Sequence, residues 1–149
     1  MPNRTTARRA VWLGMGAALF GLTALASTPA TPPAPAAPGF TPAQVTSGQQ
    51  VYSASCQGCH GANLQGVRAP ALTGASFLAK WADGKRPAHD LYQYTAQKMP
   101  RNKPGSLTPA QYLNVTAYVL SKNGYPAGGK ALTPATLRAP LARPAAKAP

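Results

Sequence analysis

The stretch Ser53–Gly61 reads SASCQGCHG and holds both cysteines of the chain, Cys56 and Cys59, and one of its two histidines, His60. No other feature limits the fold so strongly. Side chains three residues apart on a helix share a face, one turn above the other. Two thiols and an imidazole are thus presented together, and the chain then uses no further cysteine. At 149 residues there is room for one small domain with extensions, and a domain of that size commonly needs a covalent staple, a metal or a cofactor.

Cys-x-x-Cys-His is the attachment signature of c-type haem. Two thiols one turn apart add to the two vinyl groups on a porphyrin edge, and the adjacent imidazole reaches the iron from the same side. On this reading Cys56 and Cys59 are thioether anchors and His60 is the proximal iron ligand. Other uses of the cluster fit less well. A thioredoxin-like pair belongs beside a βαβ pattern that this sequence lacks. A zinc site from Cys56, Cys59, His60 and His89 forces neighbouring residues onto one tetrahedral ion. A plain disulfide needs no histidine, although two lone cysteines in an exported protein commonly pair.

Iron held by His60 needs a sixth ligand or an open face. Met1 and Met15 fall in the N-terminal leader, which leaves Met99 as the methionine of the remaining chain. It stands in KMPRNKPG, directly before Pro100, which restricts the local backbone. His89, in RPAHD, is the rival ligand in a more polar setting.

The leader itself assigns a compartment. MPNRTTARRA carries three arginines and no acid, and an apolar run follows from Val11 to Ala26, ending in a small-x-small sequence. Residues 1–26 read as a secretory signal peptide or an uncleaved anchor. That places the protein in the periplasm or at the extracytoplasmic face of the membrane, where haem attachment of this kind occurs. Residues 27–39 form a Pro/Ala-rich linker, 40–130 the folded domain, and 131–149 a basic Ala/Pro-rich tail. Both proline-rich segments are expected to be extended or disordered. The net charge is +13, with Asp83 and Asp90 the only acids. Such a surface attracts anionic partners, an acidic protein or an anionic membrane. Nucleic acid is excluded, because the basic residues are scattered and no recognition motif accompanies them.

Helix signals dominate the domain. Thr41-Pro42 is a cap followed by a first-turn proline, and Val45, Gly48, Val51, Tyr52 and Ser55 recur at helical spacing. Thr108-Pro109 repeats the start. Tyr112, Val115 and Val119 then form a stripe widened by Leu113, Tyr118 and Leu120, and Asn123-Gly124 supplies the stop. A weaker helix is predicted over Asp90–Lys98. The long loop GANLQGVRAPALTG needs something other than regular backbone bonding to hold it, and a large apolar cofactor would do so. The predicted class is all-α: three or four short helices around one haem.

Across most of Phe40–Lys130 the sequence resembles the class I c-type cytochromes. Beyond CQGCH, the stretch APALTG looks like that family's proximal loop. The resemblance implies that the Pro70 carbonyl accepts from the His60 ring, with Leu72 and Gly74 at the family's following positions. Gly48, Tyr52, Val115 and Tyr118 match its helix-crossing residues. More narrowly, Met99–Gly129 looks like the haem domains of quinohaemoprotein alcohol dehydrogenases and the small cytochromes that serve quinoprotein dehydrogenases. The large propeller-type catalytic domain is missing, so the resemblance implies an electron carrier and not an enzyme. It implies a monomer that holds one covalent haem c with iron between His60 and Met99. Electrons would pass from a dehydrogenase or respiratory complex to a downstream oxidase. The alternative is a haem subunit of a quinoprotein dehydrogenase. Lys98, Arg101 and Lys103, joined by Lys80, Lys85 and Arg86, would form a positive rim for an acidic redox partner. Trp81 and Tyr92 are expected in the pocket or the core.

Overall fold

The computed structural model describes residues 38–144. The predicted signal peptide, most of the linker and the last residues of the tail lie outside them.

Two helices frame the domain, α1 (Pro42–Ser55) and α5 (Pro109–Lys122), and they begin in the same way. Thr41 accepts from the Gln44 amide while the Gln44 side chain accepts from the Thr41 amide; Thr108 and Gln111 repeat the exchange. Each reciprocal pair satisfies two amides that a helix start otherwise leaves open, and proline at the first position costs no bond there. The two helices cross at Gly48. A Cβ at that position would overlap the Asn114 carbonyl and press on the Tyr118 side chain. Beside the crossing the rings of Tyr52 and Tyr118 lie 5.3 Å apart, both buried. Full burial of each such side chain contributes about 1.5–3 kcal/mol, so the crossing is the anchor of the core.

Between the frame helices come α2 (Gln57–His60), α3 (Ala75–Trp81) and α4 (Ala88–Lys98). That makes five helices among the described residues where three or four were predicted. The extra ones are a single turn around the cysteines and the seven-residue α3, which has no side-chain cap and is held by burial of Phe77 and Trp81. The weaker predicted helix starts two residues earlier, at Ala88. The loop between α2 and α3 stays irregular, as its glycines and prolines predict.

The tail departs from expectation. Residues beyond 130 were expected to be extended or disordered, yet Leu132, Leu137 and Leu141 are 1%, 0% and 0% exposed. A 3-10 turn, Thr136–Arg138, leads into β2 (Pro140–Ala142), which pairs antiparallel with β1 (Asp83–Pro87). The physical reason is local. Three leucines spaced four or five apart each find an apolar socket, and the intervening polar backbone is satisfied by distant partners. The Gln44 side chain bonds both the amide and the carbonyl of Leu132, at 2.7 and 3.0 Å. The architecture is thus mostly helical, with one small two-stranded ladder closed by the tail.

Candidate cofactor site

The end of α1, the loop after α2, and helices α3, α4 and α5 enclose a largely apolar cavity of about 450 Å³. Phe77 and Trp81 enter it from α3, Leu91 and Thr95 from α4, and Val115 and Val119 from α5. Cys56, His60, Pro70 and Met99 line the same space. Cys59 is exposed and is not among the lining residues, and no disulfide joins it to Cys56.

His60 is 8% exposed, and its Nδ1 lies 2.8 Å from the Pro70 carbonyl oxygen. A carbonyl can only accept, so Nδ1 carries the proton and Nε2 keeps its lone pair for the cavity. The loop bearing Pro70 is fastened to the residues it serves. The amides of Val67, Arg68 and Ala69 all donate to the Cys59 carbonyl, at 3.2, 3.0 and 3.1 Å, and Gly66 donates to the His60 carbonyl at 2.7 Å. The Arg68 guanidinium adds a bond to the Gly58 carbonyl at 3.0 Å. A second fastening comes from Asn123, 7% exposed. Its amide donates to the Leu72 and Val119 carbonyls at 2.8 and 2.9 Å, and its carbonyl accepts from Gly74 at 3.2 Å.

Met99 follows α4 in extended backbone, φ −125° and ψ 152°, the conformation a following proline favours. Its carbonyl accepts from the buried Tyr112 hydroxyl at 2.8 Å. His89 is placed differently. It sits in the first turn of α4 beside the Gln93 side chain at 3.2 Å, and it does not line the cavity. The zinc set that would need His89 beside Cys56, Cys59 and His60 is therefore not assembled. Trp81 lines the cavity, whereas Tyr92 packs against the core without reaching it.

The donor set fits an iron porphyrin. Such a molecule presents a broad apolar ring, two thiol-reactive vinyl groups, a metal that takes nitrogen and sulfur, and two carboxylates. The cavity offers apolar walls, the Cys56 thiol at its edge, the free nitrogen of His60 and the sulfur-bearing Met99. Its only charged lining residues are cations, Lys80 and Arg101. Lys80 Nζ lies 4.9 and 5.1 Å above the rings of Trp81 and Tyr94, which steadies it at the rim. Burial, and then the neighbouring Cys59, push the Cys56 thiol up to about 11. An attacking thiol in thiol–disulfide exchange is favoured by the opposite shift, which counts against Cys56 in that role.

Sequence reasoning missed Tyr112 and Asn123 as supports of the site. Tyr112 reads as one more member of an apolar stripe and Asn123 as a helix stop. Their polar contacts reach residues 13 and 51 positions away, beyond any local pattern.

The family model described as "Cytochrome C oxidase, cbb3-type, subunit III" matches residues 43–119, just over half of the chain. The chain is 34% identical over 128 residues, 83% of its length, to the "Cytochrome bc1 complex cytochrome c subunit" of Corynebacterium efficiens. It is 33% identical over 128 residues, again 83% of its length, to the protein of the same description in Corynebacterium diphtheriae. The match covers 41% and 43% of those proteins, so the chain spans about two fifths of the length of the curated relatives it matches. No solved structure matches it.

Proposed function

The chain belongs to the family described as cytochrome c oxidase, cbb3-type, subunit III, a family of c-type cytochromes, and on that premise we propose how its haem c is held and where its electron goes. Membership makes this an electron-transfer haem protein with covalently bound haem c and iron. We assign Cys56 and Cys59 as the thiols that would anchor the haem, His60 and Met99 as the residues that would hold its iron, and Pro70 as the acceptor that orients His60. The observation that carries the assignment is that His60, its Nδ1 bonded to Pro70, and Met99 line one largely apolar cavity together with Cys56.

Bound haem supplies a one-electron ferric–ferrous couple. The chain's own residues do the rest. The Pro70 carbonyl fixes the His60 tautomer and raises its basicity. A methionine ligand and apolar walls exclude water and favour the reduced, less charged state. With His60 and Met99 both holding the iron, the haem would serve as an electron carrier. Lys80 and Arg101 at the rim, with Lys98 and Lys103 nearby in sequence, draw an acidic redox partner to the cavity mouth.

Residues 1–26 would direct export or remain as an anchor, with residues 27–39 as spacer, so the domain works at the extracytoplasmic face of the membrane. No helix among the described residues is long and apolar enough to cross a membrane. The named relatives are subunits of the cytochrome bc1 complex, which supports a respiratory complex of that kind as a redox partner; in the proposal that complex is the donor, and an oxidase would lie downstream. The likeness of Met99–Gly129 to haem domains of quinoprotein dehydrogenases supports a second donor class. Copurification with a large quinoprotein subunit would select that alternative.

The test is the visible spectrum of the exported protein in both redox states, beside Met99→Ala and His89→Ala. The assignment expects a low-spin spectrum whose ferric far-red sulfur-to-iron band is lost in Met99→Ala and kept in His89→Ala. A band indifferent to Met99→Ala, or a high-spin ferric spectrum in the unaltered protein, overturns it.

A further inference from the structure

We infer that the C-terminal strap, residues 132–142, is a positioning element for Met99, acting along α4 from its far end. The inference rests on the reading of Met99 as the sixth ligand.

Helix α4 is poorly secured by its own sequence. Its cap residue is Pro87, and no side chain caps its first turn. The Ala88 amide, an orphan at the helix start, instead donates to the Ala139 carbonyl of the strap at 3.1 Å. The strand leading into α4 is held by the same segment, with Pro87 opposite Pro140 and Asp83 opposite Ala142. Leu137 and Leu141 are fully buried in one cluster with Ala88 and Leu91. Eleven residues of helix, a rod of about 16 Å, then end at Met99.

The strap has its own fixings elsewhere. The Tyr125 hydroxyl donates to the Ala142 carbonyl at 2.7 Å, and Gln44 of α1 grips Leu132. The start of α4 is thereby tied to the α1–α5 frame that carries Cys56 and Val115. Without these ties, α4 would be held against the frame chiefly by its own short apolar face and the Tyr112–Met99 bond. A helix free to slide or tilt carries its terminal sulfur with it. The strap would therefore hold Met99 in place from a distance, since none of its residues lines the cavity.

The experiment uses the full chain with haem attached. Leu137→Ala combined with Leu141→Ala loosens the strap, Tyr125→Phe removes one fixing mildly, and Leu120→Ala perturbs the core on α5 as a control. Two readouts are taken: the ferric far-red band, and the affinity of ferric protein for added imidazole. In the strap variants we expect the band to weaken and imidazole to bind several-fold more tightly, with the effect smaller in Tyr125→Phe. Leu120→Ala at matched loss of stability should leave both readouts unchanged. An unaltered protein that lacks the band overturns the Met99 assignment itself. If the band is present, and the strap variants bind imidazole no better than Leu120→Ala, the strap has no positioning role. If the double variant loses its helical circular dichroism, Tyr125→Phe alone decides between these outcomes.

Discussion

The Tyr112 hydroxyl donates to the Met99 carbonyl across 2.8 Å, joining the first turn of α5 to the residue just past α4. The same oxygen lies 3.5 Å from the Leu107 amide. One phenol thus grips both ends of the loop that follows Met99. Tyr112→Phe keeps the ring and its packing but leaves a carbonyl without its donor. It should lower stability to denaturant by about 1 kcal/mol, leave haem attachment intact, and lower the temperature at which the far-red band fades. Unchanged fading would mean that the loop is held by other contacts.

Gly48 gives a sharper contrast. Its missing Cβ is what lets α1 meet the α5 backbone, so Gly48→Ala must push two helices apart and should cost about 3 kcal/mol in thermal or chemical unfolding. Gly58 is helical too, but an added Cβ meets only the Arg68 side chain, at 3.9 Å. Gly58→Ala should stay within roughly 0.5 kcal/mol of the unaltered protein. Equal effects at the two sites would refute the close crossing.

Asn123 saturates three backbone groups with one side chain. Asn123→Ala takes the partner from the Leu72 carbonyl and the Gly74 amide at the end of the loop and from the Val119 carbonyl, with an expected loss of about 2 kcal/mol. Amide hydrogen exchange should accelerate across residues 64–74 more than along α1. Uniform acceleration through the domain would instead mean that Asn123 merely ends a helix.

Tyr125 makes a pH-dependent case. Burial raises its phenol to about 12, above the ordinary value of 10.0. Between those values the folded protein holds a proton that the unfolded chain releases, so stability falls as pH rises through the window. The bond to Ala142 contributes fully below the ordinary value and is lost as the phenol ionises. The stability advantage of the unaltered protein over Tyr125→Phe should be constant from neutral pH to about 10 and shrink towards 12. Equilibrium unfolding at a series of pH values measures it; a gap constant to 12 would mean that the phenol ionises over the same pH range in the folded protein as in the unfolded chain.

The frame helices were legible because their signals are local. Thr41-Pro42 and Thr108-Pro109 mark starts, Asn123-Gly124 marks a stop, and apolar spacing supplies the faces. The cysteine–histidine cluster was legible for the same reason, since its chemistry lies within five residues. The tail was not. Seventeen prolines in the chain give its ends the composition of disorder, and the sockets for Leu132, Leu137 and Leu141 are built by residues far away in sequence. Composition measures how much apolar surface a segment carries, not whether each leucine has somewhere to go. Helix α3 escaped notice because it has no cap and is only seven residues long. His89 and Met99 stayed rivals in the sequence, since whether a side chain reaches the cavity depends on which face of α4 turns inward.

The loop that carries Pro70 is bolted by three amides to the carbonyl of Cys59, the residue next to His60. The imidazole and the oxygen that orients it therefore ride on one chassis, and a thermal displacement carries both together. For a protein whose task is to gain and lose one electron, that is a statement about reorganisation energy. If His60 holds the iron as proposed, the nuclei on its side would have little distance to travel between oxidation states. Turnover should then respond to the spacing and driving force between partners far more than to motion inside the domain.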